Sequence, residues 1–370
     1  MIKKTLFLIL VILSLLVFLI PGTVQAGSGL TVSDSSVQID FPASITFNIA
    51  TESDVSVTDI RLHYKVERMA YAQVTAEAYV TFVPAKSVKA QWVLDMRKTG
   101  GLPPGADVTF WWTVTDMAGR KIETTSDVIH VEDGRFDWKI MQQGQVTLNW
   151  YEGDDSFAEE LMVATQEALT RLAANSGAEL ESPVRLYIYG SQSDLLGAMI
   201  YPQEWTGGIA YSQYGIIAIG IGQTQSELDW GKRTISHELT HLVINQVTYN
   251  PYNYLPNWLN EGLAMTSEGE LELSFVLALS RAEAENTIIS VRSLCSPFSA
   301  YADQTILAYA ESYKIVAYLI NEYGQVKMFE LLNAFKQGSG YDEALKKVYG
   351  FDMDELNSLW RSKQKVASVN

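Results

Sequence analysis

Apolar and polar residues alternate with a period of two through the first third of the chain. Segments at Val37–Phe41, Ser44–Ile49, Ile60–Val66, Tyr79–Val83, Ala90–Leu94, Val108–Thr115 and Ser126–Val131 read as short strands. Pro42, Gly100-Gly101, Pro103-Pro104-Gly105 and Ala118-Gly119 punctuate them as turns. A linker over Glu132–Trp138 follows, and the period then changes. Strands are expected at Val146–Tyr151, Val184–Tyr189, Gly207–Tyr211 and Ile216–Gly220. Helical spacing marks Phe157 to about Asn175, a short helix near Asp194–Met199, and a helix from Ser226 to Asn245. Beyond it the pattern is helical almost throughout: 257–268, 271–284, 304–323, 325–337, 341–348 and 352–362.

These elements predict a multidomain chain. Seven strands in about 100 residues suit an all-β sandwich of the immunoglobulin or fibronectin type III kind, placed at residues 30–133. A mixed sheet followed by helices makes the second domain, residues 145–365, an α+β unit with a helical carboxyl-terminal part. Trp92, Trp111 and Trp112 are read as core or face aromatics of the sandwich, and His63 and His130 as structural residues of its strands.

Composition changes this picture in three places. Lys3-Lys4, an apolar run from Leu6 to Ile20, and Val24-Gln25-Ala26 make residues 1–26 a secretory signal peptide, with an uncleaved anchor through residues 5–20 as its rival. The body is therefore expected outside the cytoplasm, secreted or tethered to the outer face of the membrane. The formal charge of −16 argues against nucleic acid as a partner, and its spread along the chain suits solubility. Cys295 is the single cysteine, so no intrachain disulfide is available.

The candidate chemistry sits in the helix at 226–245. His237 and His241 are four residues apart, so both imidazoles stack on one helix face and reach a single divalent ion, with Glu238 beside them. Glu261, in Asn260-Glu261-Gly262-Leu263-Ala264, arrives from the next predicted helix as a third ligand. A His₂Glu set leaves one position open for water, which suits a catalytic ion better than a structural one. Glu238 is then placed to act as general base.

Ser236-His237-Glu238-Leu239-Thr240-His241 with Leu255-Pro256-Asn257-Trp258-Leu259-Asn260-Glu261-Gly262-Leu263-Ala264 resembles the gluzincin metallopeptidases, the group of thermolysin and the aminopeptidase N type, and most closely the bacterial peptidase MA-like metallohydrolases. The resemblance is specific over 234–268, extends in layout over 150–360, and does not reach the sandwich. It implies one zinc ion per chain held by His237, His241 and Glu261, Glu238 as base, and a polypeptide substrate. It further implies a cleft-edge strand that pairs with substrate, for which Gly207, Gly208, Ile209 and Ala210 are candidates, and an oxyanion-stabilising phenol from Tyr309 or Tyr313. One departure stands out: Met265 occupies the position where thermolysin-like enzymes carry an aspartate that orients a ligand histidine, which leaves Glu268 or Glu311 for that task. The competing expectation is a non-catalytic surface binding or scaffold protein with a degenerate peptidase fold, in which the sandwich makes the contact.

Overall fold

The computed structural model describes residues 29–69, 72–204, 206–252, 254–299 and 301–367. The leader expected at 1–26 and the tether at 5–20 lie outside the described residues. Among those described, no helix is long and apolar enough to cross a membrane.

The amino-terminal part is a β-sheet domain of β1 (Leu30–Asp40), β2 (Ser44–Val66), β3 (Thr75–Tyr79), β4 (Ala85–Asp95), β5 (Ala106–Asp116), β6 (Lys121–Glu123) and β7 (Asp127–Val131). Strand β2 runs unbroken for 23 residues where the alternation predicted two strands. Its first half is flanked by β1 and β4 and its second by β3 and β5, with register shifts between Glu52 and Asp59 marking the passage from one pair of neighbours to the other. The polar stretch Thr51–Asp59 thus stays extended because its neighbours supply the hydrogen bonds, not because it alternates. Inward-facing Ile45, Phe47, Ile49, Ile60, Leu62, Phe110 and Trp112 form the core, and Trp112 bears out its expected packing role. Strand β3 begins four residues before the run predicted at Tyr79–Val83.

The second part is built on a five-stranded sheet, ordered β11 (Gly208–Tyr211), β12 (Ile216–Gly220), β10 (Val184–Tyr189), β9 (Val146–Trp150), β8 (Lys139–Gln143). The three inner strands are parallel and the two edges antiparallel. Helices α1 (Asp155–Ser176), α2 (Gln192–Leu196), α3 (Gln225–Thr248), α4 (Asn257–Glu268), α5 (Leu273–Glu285), α6 (Ala302–Lys336), α7 (Tyr341–Tyr349) and α8 (Met353–Ala367) complete it. Helix α6 breaks at Gly324, whose φ of 83° lies in the left-handed region, so the two helices expected at 304–323 and 325–337 are halves of one bent element.

One face of this sheet, through Leu148, Leu186, Ile188, Ile217 and Ile219, packs on the helices. The other face, through Tyr187, Tyr189, Ile216 and Ala218, joins the core of the β domain together with Leu102, Ala106 and Val131. The segment expected as a linker is part of this seam. Asp133 is fully buried, accepts from the Tyr189 hydroxyl at 3.0 Å, and its carbonyl accepts from the Trp138 indole at 3.0 Å. Phe136 stacks on Tyr151 with ring centres 4.0 Å apart. The β domain therefore covers an apolar sheet face that the helices leave open.

Candidate metal centre

Helix α3 starts at a capping box, in which Thr224 accepts from the Glu227 amide while Glu227 accepts from the Thr224 amide. Three turns on, His237 and His241 share the face turned toward α4, while Leu239, Leu242 and Val243 are buried behind them. Glu261 comes from α4, which is held close by its neighbour in sequence. A side chain at Gly262 would lie 2.4 Å from the carbonyl oxygen of Ser312 and from a methyl of Val316, so only glycine lets α4 rest directly on α6. Arg171 of α1 ties the two site helices together, donating to the Ser267 carbonyl of α4 and the Ser236 hydroxyl of α3.

The three predicted ligands converge. His237 Nε2 and His241 Nε2 are 3.0 Å apart, and each is 3.4 Å from Glu261 Oε2. A tetrahedral ion with bonds of 2.0–2.1 Å sets its ligand atoms roughly 3.3–3.4 Å from one another. The two distances to the carboxylate match that spacing and the third needs only a few tenths of an ångström. Glu261 Oε2 is buried and lacks a hydrogen-bond partner, as does His241 Nδ1. A buried carboxylate oxygen left so is costly, and a cation at the centre of the triangle answers it. The group is the set of side chains, among the described residues, that can hold a metal ion.

Charge favours the same occupant. Burial works against a charged His237, yet the carboxylates of Glu261, Glu268 and Glu238 push its pKa up to about 10. His241 is raised as well, with burial opposing and Glu261 driving the rise. Burial opposes ionisation of Glu261, but His241 and His237 hold it well below the usual carboxylate range. Three carboxylates around two imidazoles give a site with surplus negative charge whenever the rings are neutral, which is the form that binds metal.

The structure also chooses between the two carboxylates that sequence left open. His237 Nδ1–H donates to Glu268 Oε1 at 2.8 Å, since a carboxylate in this contact can only accept, and this leaves Nε2 bare for a metal. Arg233 bonds the second oxygen of Glu268 and so fixes it. Glu311 lies elsewhere: fully buried, it accepts from the Ile289 amide at 3.0 Å, and burial pushes its pKa up to about 8. Met265 is buried and takes no part.

Of the two tyrosines, Tyr309 is the one beside the centre. Its ring meets His237 edge-on at 6.1 Å, and burial followed by the charges of Glu261, Glu238 and Glu268 pushes its pKa up, keeping the phenol protonated. Tyr313, one turn further along α6, is half-buried with Glu270 as its charged neighbour, and nothing joins it to the group. The glycine segment lies where it was expected. Gly208–Tyr211 is the edge strand β11, Gly207 extends its pairing by accepting from the Gly220 amide, and a side chain at Gly208 would press on Thr234 and on the Glu238 stem at 3.4 Å. Sequence reasoning missed Arg171, which stands 65 residues from one partner and 96 from the other and carries no local signal.

Residues 164–366 match the family model described as the Peptidase MA superfamily. No curated protein matches the chain. Among solved structures, OgpA from Akkermansia muciniphila, crystallised in one case with an O-glycopeptide, aligns at 14% identity over 29% of this chain and 29% of that one, with a TM-score of 0.22. Aminopeptidase A of Legionella pneumophila aligns at 11% identity over 90% of this chain and 49% of that one, TM-score 0.40. An M1 zinc metallopeptidase from Deinococcus radiodurans aligns at 12% identity over 90% and 94%, TM-score 0.35. The chain thus spans less than a third of the length of the first of these and about half of the second.

Proposed function

The chain belongs to the Peptidase MA superfamily, and from that premise we propose that it is a zinc-dependent metallopeptidase with a thermolysin-like ligand set of His237, His241 and Glu261. The observation that carries this reading is the spacing of the three ligand atoms around one point, with a buried Glu261 oxygen that no hydrogen bond satisfies. A zinc ion, when bound, supplies a Lewis acid for the scissile carbonyl and lowers the pKa of a water at its open position toward about 7.

The remaining work falls to the chain. Glu238 stands next to the ligand pair with its charge felt by His237, His241 and Tyr309. It takes the proton of the attacking water and returns it to the leaving amine. The Tyr309 phenol donates a hydrogen bond to the oxygen on which negative charge develops. The outer edge of β11 pairs with an extended peptide, and the missing side chain at Gly208 lets that backbone approach the Glu238 stem. Glu268 holds the His237 ring in the tautomer that leaves Nε2 bare.

The flanking pattern of β2 supports reading residues 30–133 as a fibronectin type III-like sandwich, with β1 and β4 beside one half of the strand and β3 and β5 beside the other. The amino-terminal sequence supports export, so the enzyme would act on polypeptides outside the cytoplasm. A digest of a peptide library by the chain, with and without a chelator, joined to metal analysis, tests the proposal. One zinc per chain and chelator-sensitive cleavage are expected, and Glu238→Gln keeps the zinc while losing about 10²–10⁴-fold in rate. A chain that binds no zinc and regains no activity with it supports the scaffold reading instead.

A further inference from the structure

We propose that the cavity beside His241 is a specificity pocket for an uncharged, hydrogen-bonding side group of the substrate, either an amide or hydroxyl side chain or a sugar carried on one. The inference rests on the peptidase reading and adds the substrate class.

The cavity measures about 280 Å³ and has His241 itself in its wall, so whatever fills it lies next to the ligand group. Ser212 lines it from the turn that continues β11, Asn245 from one helical turn beyond His241, and Asn257 and Asn260 from the start of α4. An extended peptide paired with β11 therefore carries a side chain into it.

The lining excludes by charge. Among the described residues, no aspartate, glutamate, lysine or arginine lines the cavity, in a chain that has 43 acidic and 27 basic residues. A charged side chain entering there would lose water and find no carboxylate, lysine or arginine among the described lining residues to pair with, so it is disfavoured. A large apolar side chain would meet Ile244, Leu255 and Phe335, but it would strip water from the amides and hydroxyls of Ser212, Asn245, Thr248, Asn257 and Asn260 without replacing those hydrogen bonds.

The walls are also built to accept and donate. The Asn257 side-chain amide is anchored by donating to the Ser296 carbonyl at 3.0 Å. Asn250 is held by the carbonyls of Phe335 and Lys336, so this part of the wall is tied to α6. Tyr254, 79% exposed, joins Tyr249 and Phe335 in placing aromatic rings beside the amides of this mixed lining. Amides beside an aromatic ring suit a group with polar edges and an apolar face. The volume is about nine times the ~30 Å³ share of one water molecule, more than an asparagine or glutamine side chain needs and on the scale of a monosaccharide ring.

The test compares cleavage by the zinc-supplied full chain of peptides that vary at one position through Ser, Thr, Asn, Gln, Lys, Glu, Leu and Phe, with a matched pair carrying Thr with and without O-linked N-acetylgalactosamine. The expected result is at least about tenfold better kcat/KM for the neutral polar members than for Lys, Glu or Phe. The glycosylated pair then separates a sugar from a bare side chain as the occupant. Ser212→Asp and, independently, Asn245→Asp should move the preference toward Lys by about tenfold, because each places a carboxylate in the wall. A preference for charged or large apolar members, or a lysine preference unmoved in both variants, overturns the proposal. If nothing is cleaved, calorimetry of the same peptides on Glu238→Gln decides. Selective binding of the neutral members upholds the pocket while the peptidase reading fails, and no selectivity overturns the pocket.

Discussion

Glu268 and Glu311 were equal candidates for orienting a histidine, and replacing each by glutamine should have opposite consequences. Glu311 is fully buried with one oxygen bonded to the Ile289 amide and the other without a partner. Burial raises its pKa from 4.5 to about 8, so the folded state disfavours the charged form. Below pH 4.5 the group is neutral in both folded and unfolded chains and costs nothing. As pH rises the unfolded chain ionises first, so stability falls through the interval up to about pH 8 and then levels off. At about 1.36 kcal/mol per pH unit the penalty is on the order of 3 kcal/mol at pH 7. Glutamine keeps the acceptor for Ile289 and cannot ionise. Glu311→Gln should therefore leave stability nearly unchanged at pH 4.5 and raise it increasingly toward pH 8, with zinc affinity intact. Glu268→Gln weakens the 2.8 Å bond that fixes the His237 tautomer, and zinc binding should weaken about 10–100-fold with little pH-dependent gain in stability. Urea unfolding at pH 4.5, 6 and 8, with zinc competition titrations on the same proteins, reads both. A Glu311→Gln variant that loses zinc affinity, or gains no stability between pH 4.5 and 8, refutes the assignment.

Gly262→Ala places a methyl 2.4 Å from the Ser312 carbonyl, so α4 must shift; a loss of about 1–3 kcal/mol in chemical denaturation is expected, together with weaker zinc binding because Glu261 moves with the helix. Tyr309→Phe should lower kcat about 10–10³-fold while KM and bound zinc stay as they were, and an unchanged kcat in steady-state assays would remove the phenol from the reaction. Deleting residues 30–133 uncovers Tyr187, Tyr189, Ile216 and Ala218, so the remainder should be insoluble or bind a hydrophobic dye, and a soluble, monodisperse fragment on gel filtration would show that the seam is dispensable.

The parts of the site legible in the sequence are those whose geometry is fixed within one helix. The four-residue spacing of His237 and His241 places two imidazoles on one face whatever the fold, and the structure brings them to 3.0 Å. Glu261 needed a second helix, and it was found because a His₂ pair lacks a third ligand and the next predicted helix carries a carboxylate, a reading that the family resemblance then supported. Glu268 shows where spacing becomes ambiguous. Positions four and seven residues after Glu261 both return near its face of α4, so Met265 in the nearer position was a true departure, while the carboxylate two turns on was close enough to take the task. Nothing in periodicity distinguishes it from Glu311, because the choice depends on which helix lies across α3.

The fold was legible in proportion to its alternation. Strands with an apolar face were found, whereas β8, reading Lys139-Ile140-Met141-Gln142-Gln143, is a mostly exposed edge and gave no signal. The same holds for the middle of β2, which is extended by its partners. The strongest unread signal was in β10. Val184-Arg185-Leu186-Tyr187-Ile188-Tyr189 is apolar at nearly every position, the mark of a strand buried on both faces, and helices can cover only one of them. The second cover had to come from somewhere in the chain. The β domain supplies it, with Asp133 and Trp138 closing the seam in the segment that sequence treated as a loose connection. This packing has a consequence for the site. β11 hydrogen-bonds to β12, and β12 lies in register beside β10, so the strand proposed to hold substrate is one step from a sheet clamped on both faces. An edge strand that must pair with a passing peptide needs such a rigid backing, because any ordering it lacks beforehand is subtracted from the affinity.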